Sequence, residues 1–523
     1  MSVIPANRVC MGESRRGAAL RRKFKVPADR KKSEAGDRDP RAFESAAVED
    51  AMDHGGNFVK GRVRAEGEAL PVRSPFDGAL VGEARLGDAA LLDEATEAAV
   101  AAQPAMAALT REARAGILER IAEGVAARRD ELARTLQRES GKPIAYARLE
   151  VARAVDTFRA SADAARALGG TEIPLDAAGP GEGRLGFTRR FPVGPIVSIT
   201  PFNVPLNLVA HKVGPAIAAG CANVVKPASA TPLSALALAR IAHEAGLPEG
   251  GLNVVACDRR AGQRLVEDPR FRLLSFTGSA EVGWKMKRDA GKKRVVLELG
   301  GNAAAIVLAD ADVDHAAARC AVGGYYQAGQ SCISVQRVLA HREVYARLRD
   351  ALADRARATV FGDPAEEATV SGPVIDEGNA ERIEAWVAEA VARGARRLVG
   401  GERRGTVIPP VLLENAPPDA RVVAEEVFGP VIVLEEVGSL EEALRSAGAT
   451  RFGLQCGLFT NDLRAVLRAW EALEVGALIH DDAPAFRVDL MPYGGVRDSG
   501  LGREGPRYAV EEMTEPRILV LRR

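Results

Sequence analysis

Cys332, in Gly329-Gln330-Ser331-Cys332-Ile333-Ser334, offers a thiol among small residues, and its thiolate would be a strong nucleophile. A lone cysteine is more often a small buried hydrophobe, so its chemistry depends on what else the chain supplies. Glu298 ends a valine-rich run and precedes Leu299-Gly300-Gly301-Asn302. A carboxylate in so apolar a setting has a raised pKa and suits general-base work, or else it is a salt-bridged residue at a strand end. Asn203 lies in Thr200-Pro201-Phe202-Asn203-Val204-Pro205 after an apolar run. Its amide can face a developing oxyanion, or cap a turn. Lys226 ends Val224-Val225-Lys226-Pro227 and can donate to ribose or phosphate, or snorkel to the surface. In Phe276-Thr277-Gly278-Ser279 a glycine turn opens a helix whose N–H groups can hold a pyrophosphate, without the G-x-G-x-x-G spacing.

These residues need elements to position them. The alternation of short apolar runs with helical periods predicts strands at 194–200, 221–226, 252–256, 272–276 and 294–298, with helices at 205–219, 232–245, 260–267 and 280–289. That is the rhythm of βαβ units around a parallel sheet, where ligands sit beyond the carboxyl ends of strands. A second series predicts helices at 311–328, 343–357, 377–393, 438–447 and 462–472, with strands near 335–340, 430–435, 455–460 and 475–480. Two α/β domains therefore meet near 299–310. Upstream, 71–82 reads as a hairpin and the alanine-rich segments 88–107, 111–138 and 143–168 as helices. The apolar final strand, Arg517–Leu521, is expected to pair with a neighbouring subunit.

A chain of 523 residues implies two or three domains, and 47% apolar with 27% charged residues is a globular composition. Lys plus Arg and Asp plus Glu number 71 each, so no global field favours nucleic acid or a membrane surface. The six cysteines form no C-x-x-C pair, which predicts a reduced, cytoplasmic chain without disulfides or zinc. The six histidines are scattered, and no metal site is expected. No apolar run is long enough to span a membrane. Residues 1–57 are basic and poor in apolar periodicity, and read as a disordered extension. Glu13, Asp29, Glu34, Asp37 and Asp39 argue against an organelle transit peptide.

Taken in order, the Asn203 segment, Lys226-Pro227, Phe276-Thr277-Gly278-Ser279, Glu298-Leu299-Gly300-Gly301 and Gly329-Gln330-Ser331-Cys332 resemble the motif series of the aldehyde dehydrogenase superfamily. Glu426-Val427-Phe428-Gly429-Pro430 and Pro492-Tyr493-Gly494-Gly495 continue it, across about 58–523. The interval from Glu298 to Cys332, 332 − 298 = 34 residues, also fits. The wording around Cys332 and Pro492 is similar to the branch holding lactaldehyde and succinate-semialdehyde dehydrogenases.

The resemblance implies two Rossmann-like open-sheet α/β domains plus a small β oligomerisation element. A cofactor-binding domain would take 58–173 and 193–298, a catalytic domain 299–498, and the oligomerisation element with the C-terminal tail 174–192 and 499–523. It implies oxidation of a small aldehyde to its acid with NAD or NADP, without a metal, in a homodimer or homotetramer. Cys332 would form a thiohemiacetal and then a thioester. Asn203 and the Cys332 N–H would hold the oxyanion, and Glu298 would activate the hydrolytic water. Thr200, Pro201, Lys226, Ser229, Gly278, Ser279, Glu426 and Phe428 would bind cofactor. A CoA-acylating dehydrogenase and a non-catalytic protein on the same fold are the alternatives. Glu298 speaks against the first, and retention of Cys332, Asn203 and Glu298 against the second.

The chain departs from the family pattern at Ser229, where Glu is common. A serine removes a repulsion of the 2′-phosphate, so NADP is expected to be accepted or preferred. His480 stands where Asn is frequent, and either touches substrate or packs. Arg487, upstream of Tyr493, either anchors an acidic substrate by a bidentate contact or forms a structural salt bridge. Arg487, His480 and Tyr493 are the candidate substrate residues.

Overall fold

A computed structural model of the protein describes residues 52–53 and 56–523. Of the expected extension, residues 1–51 and 54–55 lie outside the described residues. Strand pairing starts within it: Met52–Asp53 runs parallel to Leu80–Leu86, and Asn57–Val59 joins the first large sheet.

That sheet has eight strands. Its five central ones are parallel, in the spatial order Arg294–Glu298, Leu273–Thr277, Ile196–Ile199, Asn223–Lys226, Leu252–Val254. They are buried almost throughout, which is why they read as unbroken apolar runs rather than alternating ones. Chain order reverses between Ile196–Ile199 and Leu273–Thr277. This is the topological switch point, where the helices leave to opposite faces and open a crevice at the strand ends.

The helices around this sheet start on charged caps. Glu150, on the helix Ile144–Ala167, accepts from the N–H groups of Leu206 (2.8 Å) and Asn207 (3.1 Å), at the start of Asn207–Ala219. Its other oxygen pairs with Lys142, and both side chains are 2–3% exposed. Glu139 accepts from the N–H groups of Leu233 and Ser234 in the same way, at the start of Leu233–Glu244. The segment 111–138 is two helices, Arg111–Ala127 and Arg129–Ser140, not one. Arg128 leaves helical geometry between them, and Asp130 and Glu131 favour a new N-terminus there.

The second sheet has seven strands in the order Arg396–Val399, Val411–Glu414, Val431–Val437, Val335–His341, Ala303–Val307, Gln455–Phe459, Ala477–His480, parallel except for the first. Ala303–Val307, Arg396–Val399 and Val411–Glu414 were not anticipated. Ala303–Val307 is alanine-rich and helical in propensity, yet small residues at a sheet centre admit the close packing of Val313–Tyr325 and Leu440–Gly448.

The helix expected over 311–328 stops at Tyr325. Gln327 (φ 52°) and Ala328 (φ 55°) take the left-handed conformation, a strain that turns the chain into the Cys332 loop. The final strand, Thr514–Arg522, pairs antiparallel along one edge with Arg184–Pro192 of its own chain over nine residue pairs. Its other edge is unpaired, and Ile518, Leu519, Val520 and Leu521 are exposed. Among the described residues no helix is long and apolar enough to cross a membrane, and no cluster of His, Cys, Asp or Glu is arranged to hold a metal ion.

Candidate active site

A cavity of about 1740 Å³ opens beyond the strand ends at the switch point. That exceeds the 300–1,000 Å³ or so of a single small-molecule pocket and suits a two-part ligand. All the candidate residues line it except Ser229 and His480.

Cys332 is partly exposed, with its Sγ 2.8 Å from the Tyr493 hydroxyl. Burial pushes its thiol up to about 11, although Tyr493 and Arg487 act in the opposite direction. Asn203 is buried beside it. One N–H of its amide donates to the Gln330 carbonyl at 3.0 Å, and the backbone carbonyl of Asn203 accepts from Gln327. The second amide N–H is left for a ligand. The left-handed turn at Gln327 thus clasps the Asn203 and Cys332 loops together.

Glu298 enters from the end of Arg294–Glu298 and is 3% exposed. Neither carboxyl oxygen has a hydrogen-bond partner. Burial, then repulsion from Glu504, raises its pKa well above the usual value and so favours the neutral carboxyl. Gly494, at φ 151°, passes so close that a Cβ there would lie 2.8 Å from Glu298 Oε1.

Behind these groups lies a buried network of charges. Lys212 Nζ donates to Ser275 Oγ at 2.9 Å and sits 3.5 Å from Glu504. Glu504 accepts from Arg487 at 3.0 Å, and the Arg487 guanidinium stacks on the Tyr493 ring at 3.6 Å. Arg487 Nη2 is 3.2 Å from His211, whose Nε2 is 2.8 Å from Asp489. Arg153 grips Asp489 with two hydrogen bonds of 3.0 and 2.8 Å. Burial alone would raise the pKa of Glu504, but Lys212, His211 and Arg487 pull it down to about 2. Arg487 takes the salt-bridge role and keeps a free donor besides. It is ion-paired to Glu504, yet it lines the cavity with an unpartnered Nε. Sequence reasoning missed Arg153, His211, Lys212, Asp489 and Glu504. The one available signal was the adjacent His211 and Lys212 inside an otherwise apolar helix.

The other half of the cavity presents unused donors and acceptors. Thr200 Oγ1 and Thr277 Oγ1 are buried without partners. Ser279, the N-cap of Ala280–Asp289, makes no side-chain cap bond, so that helix start is open. Lys226 Nζ has only the Pro227 carbonyl at 3.3 Å, and burial lowers its pKa. Its stem lies on Gly262, where a Cβ would meet Lys226 Cδ at 2.9 Å. Glu426 accepts from the Gly301 N–H at 2.9 Å, and burial raises its pKa to about 7. Phe428, at φ 49°, meets the edge of Phe202 at 5.9 Å. A row of donors, an open helix N-terminus and a carboxylate at the far end fit a dinucleotide.

Two expectations need correction. The Ser229 hydroxyl is turned away, donating to the Cys257 carbonyl at 3.2 Å, and does not line the cavity. Arg259 and Arg260, at the start of Arg259–Glu267, line it near Lys226 instead. The His480 ring is exposed at the end of an edge strand, bonds to the Thr460 carbonyl at 2.9 Å and also lies outside the cavity.

The aldehyde dehydrogenase family model matches residues 63–519. The chain is 45% identical over 406 residues to 3-sulfolactaldehyde dehydrogenase of Priestia aryabhattai, covering 77% of this chain and 85% of that protein. Aldehyde dehydrogenase 21 of Physcomitrella patens, solved with the reaction product succinate, superposes with a TM-score of 0.88 at 43% identity, over 90% of this chain and 98% of that one. Glyceraldehyde-3-phosphate dehydrogenase GapN of Methanocaldococcus jannaschii, solved with NADP, gives a TM-score of 0.84 at 35% identity, over 88% of this chain and all (100%) of that one.

Proposed function

The chain belongs to the aldehyde dehydrogenase family, whose members oxidise small aldehydes with NAD or NADP, and we propose that Cys332, Asn203 and Glu298 carry that reaction here. The observation that supports this reading best is their convergence, from one strand end and two loops, on one cavity where neither Glu298 oxygen has a partner. The Cys332 thiolate attacks the aldehyde carbon, and the carbonyl electron pair moves to oxygen. The second Asn203 amide N–H and the Cys332 N–H hold that oxygen. NAD or NADP, when bound, supplies the hydride acceptor that leaves a thioester on Cys332. Glu298, once ionised, takes a proton from water as the water attacks the thioester. The carbon–sulfur bond breaks, the acid departs and Cys332 is restored.

Thr200, Pro201, Lys226, Gly278 and Ser279 would hold the adenosine and pyrophosphate, with Glu426 and Phe428 at the nicotinamide ribose. The open start of Ala280–Asp289 supports this placement. NADP is accepted or preferred, a reading that now rests on Lys226, Arg259 and Arg260 rather than on Ser229. The substrate is a small aldehyde bearing an acid group. Arg487 faces the cavity beside the Cys332 partner Tyr493, and the relatives named above handle sulfolactaldehyde and succinate. On this reading 58–173 with 193–298 bind cofactor and 299–498 carry the thiol. Residues 174–192 and 499–523 join copies into a homodimer or homotetramer through the open edge of Thr514–Arg522. The five described cysteines are free, in keeping with a reducing, cytoplasmic setting.

The test is a panel of lactaldehyde, succinate semialdehyde, glycolaldehyde, glyceraldehyde 3-phosphate and benzaldehyde with both cofactors. Succinate semialdehyde should exceed benzaldehyde in kcat/KM, and Cys332→Ala should abolish cofactor reduction. Oxidation by Cys332→Ala at the parent rate would overturn the assignment. Release of acyl-CoA on adding CoA would favour the acylating alternative.

A further inference from the structure

The Cys332 sulfur is within hydrogen-bond distance of the Tyr493 hydroxyl, at 2.8 Å. The phenol is 3% exposed and firmly placed. The backbone of Tyr493 exchanges two hydrogen bonds with Glu504, its N–H donating at 3.1 Å and its carbonyl accepting at 2.6 Å. Glu504 in turn holds Arg487, whose guanidinium lies flat on the ring at 3.6 Å. A cation on the π face draws electron density from the ring and makes the phenolic O–H a stronger donor. Burial keeps this phenol protonated far above its ordinary range. Opposite a thiolate, which can only accept, the hydrogen of the pair must come from Tyr493.

We propose that Tyr493 is a catalytic residue that donates its hydroxyl hydrogen to the Cys332 thiolate, with Arg487 as the positioning residue that holds the ring and sharpens the donor. The other ionisable groups acting on the sulfur are Glu298 and Glu426, both of which disfavour the thiolate, and Tyr326 on the preceding turn. Tyr493 and Arg487 therefore oppose two carboxyl groups. The donor serves twice in each turnover: it raises the thiolate population before attack, and it receives the sulfur when the thioester breaks.

The size of the effect follows from two opposing trends. A hydrogen bond to a charged sulfur lowers its pKa by about 1–2 units. Below the pKa each unit gives tenfold more thiolate, while nucleophilicity falls with a Brønsted coefficient of about 0.4–0.5. The net gain near pH 7 is about three- to fifteen-fold.

This inference rests on Cys332 being the nucleophile, but its test reads the thiol directly and needs no aldehyde. The rate of iodoacetamide alkylation at Cys332, located by peptide mass spectrometry, is measured from pH 7 to 10, below the thiol's midpoint, for the parent and Tyr493→Phe. The expected result is an alkylation rate about three- to fifteen-fold lower at each pH, a difference that vanishes when both proteins are denatured in guanidinium. The kcat/KM should fall by about the same factor. An unchanged alkylation rate in the folded variant would overturn the donor role. Arg487→Lys is then made in both backgrounds. A smaller loss in the Tyr493→Phe background supports action through the ring, whereas the same loss in both backgrounds overturns the positioning role of Arg487.

Discussion

Replacing Glu298 by Gln separates the two halves of the reaction. The carboxyl is 3% exposed, has no hydrogen-bond partner and is driven toward its neutral form by burial, so a neutral amide of the same shape should replace it with little change in fold or melting temperature. Acylation uses Cys332 and Asn203 and should proceed. Hydrolysis loses a general base worth about 10²–10⁴ in rate, or about 2.7–5.5 kcal/mol of barrier. Because the pKa of Glu298 is raised, the parent's hydrolysis should climb with pH as the carboxylate forms, whereas the variant's should lack that climb. Rapid mixing with aldehyde and cofactor, followed at 340 nm, should give a burst of one reduced cofactor per Cys332 and then a slow phase. Mass spectrometry should find the acyl group on Cys332. Hydroxylamine should restore turnover by attacking the thioester in place of water. A Glu298→Gln enzyme with no burst and a parental steady state would refute the reasoning. Parental acylation with no accumulated thioester would show that another base serves hydrolysis.

Asn203→Ala removes one oxyanion donor and should lower kcat about 10²–10³-fold while leaving cofactor KM unchanged, as read by steady-state kinetics. Arg259→Ala with Arg260→Ala should raise KM for NADP about tenfold and leave NAD nearly unaffected, since charge-assisted contacts to a 2′-phosphate are lost. Lys142→Met leaves Glu150 buried without its partner and should cost about 3–5 kcal/mol in denaturant unfolding. Lys142→Met with Glu150→Gln should regain much of that loss, because the amide oxygen still accepts from the Asn207 helix start. Failure to recover would show that the charge itself is required.

The proposed catalytic trio was legible because each member ends or follows an apolar strand or sits in a small-residue loop, and strand ends are where open sheets place ligands. The buried network behind it was not. His211 and Asp489 are 278 positions apart and Arg153 and Asp489 are 336 apart, and no local pattern announces such pairings. Ser229 shows the limit of reading by spacing. Its position three residues after Lys226 was clear, but its rotamer toward Cys257 was not. Ala303–Val307 failed for the opposite reason, since local propensity favoured helix and sheet-centre packing overrode it.

The capping carboxylates have a consequence for where an anion can land. A helix N-terminus attracts any negative charge, its own protein's included. In the first domain Glu150 already occupies the start of Asn207–Ala219, Glu139 that of Leu233–Glu244, and Asp258 that of Arg259–Glu267. Ala280–Asp289 is left open at Ser279. The side chains thus act as resident competitors at three of these helix starts, which leaves the start at Ser279 for the proposed diphosphate.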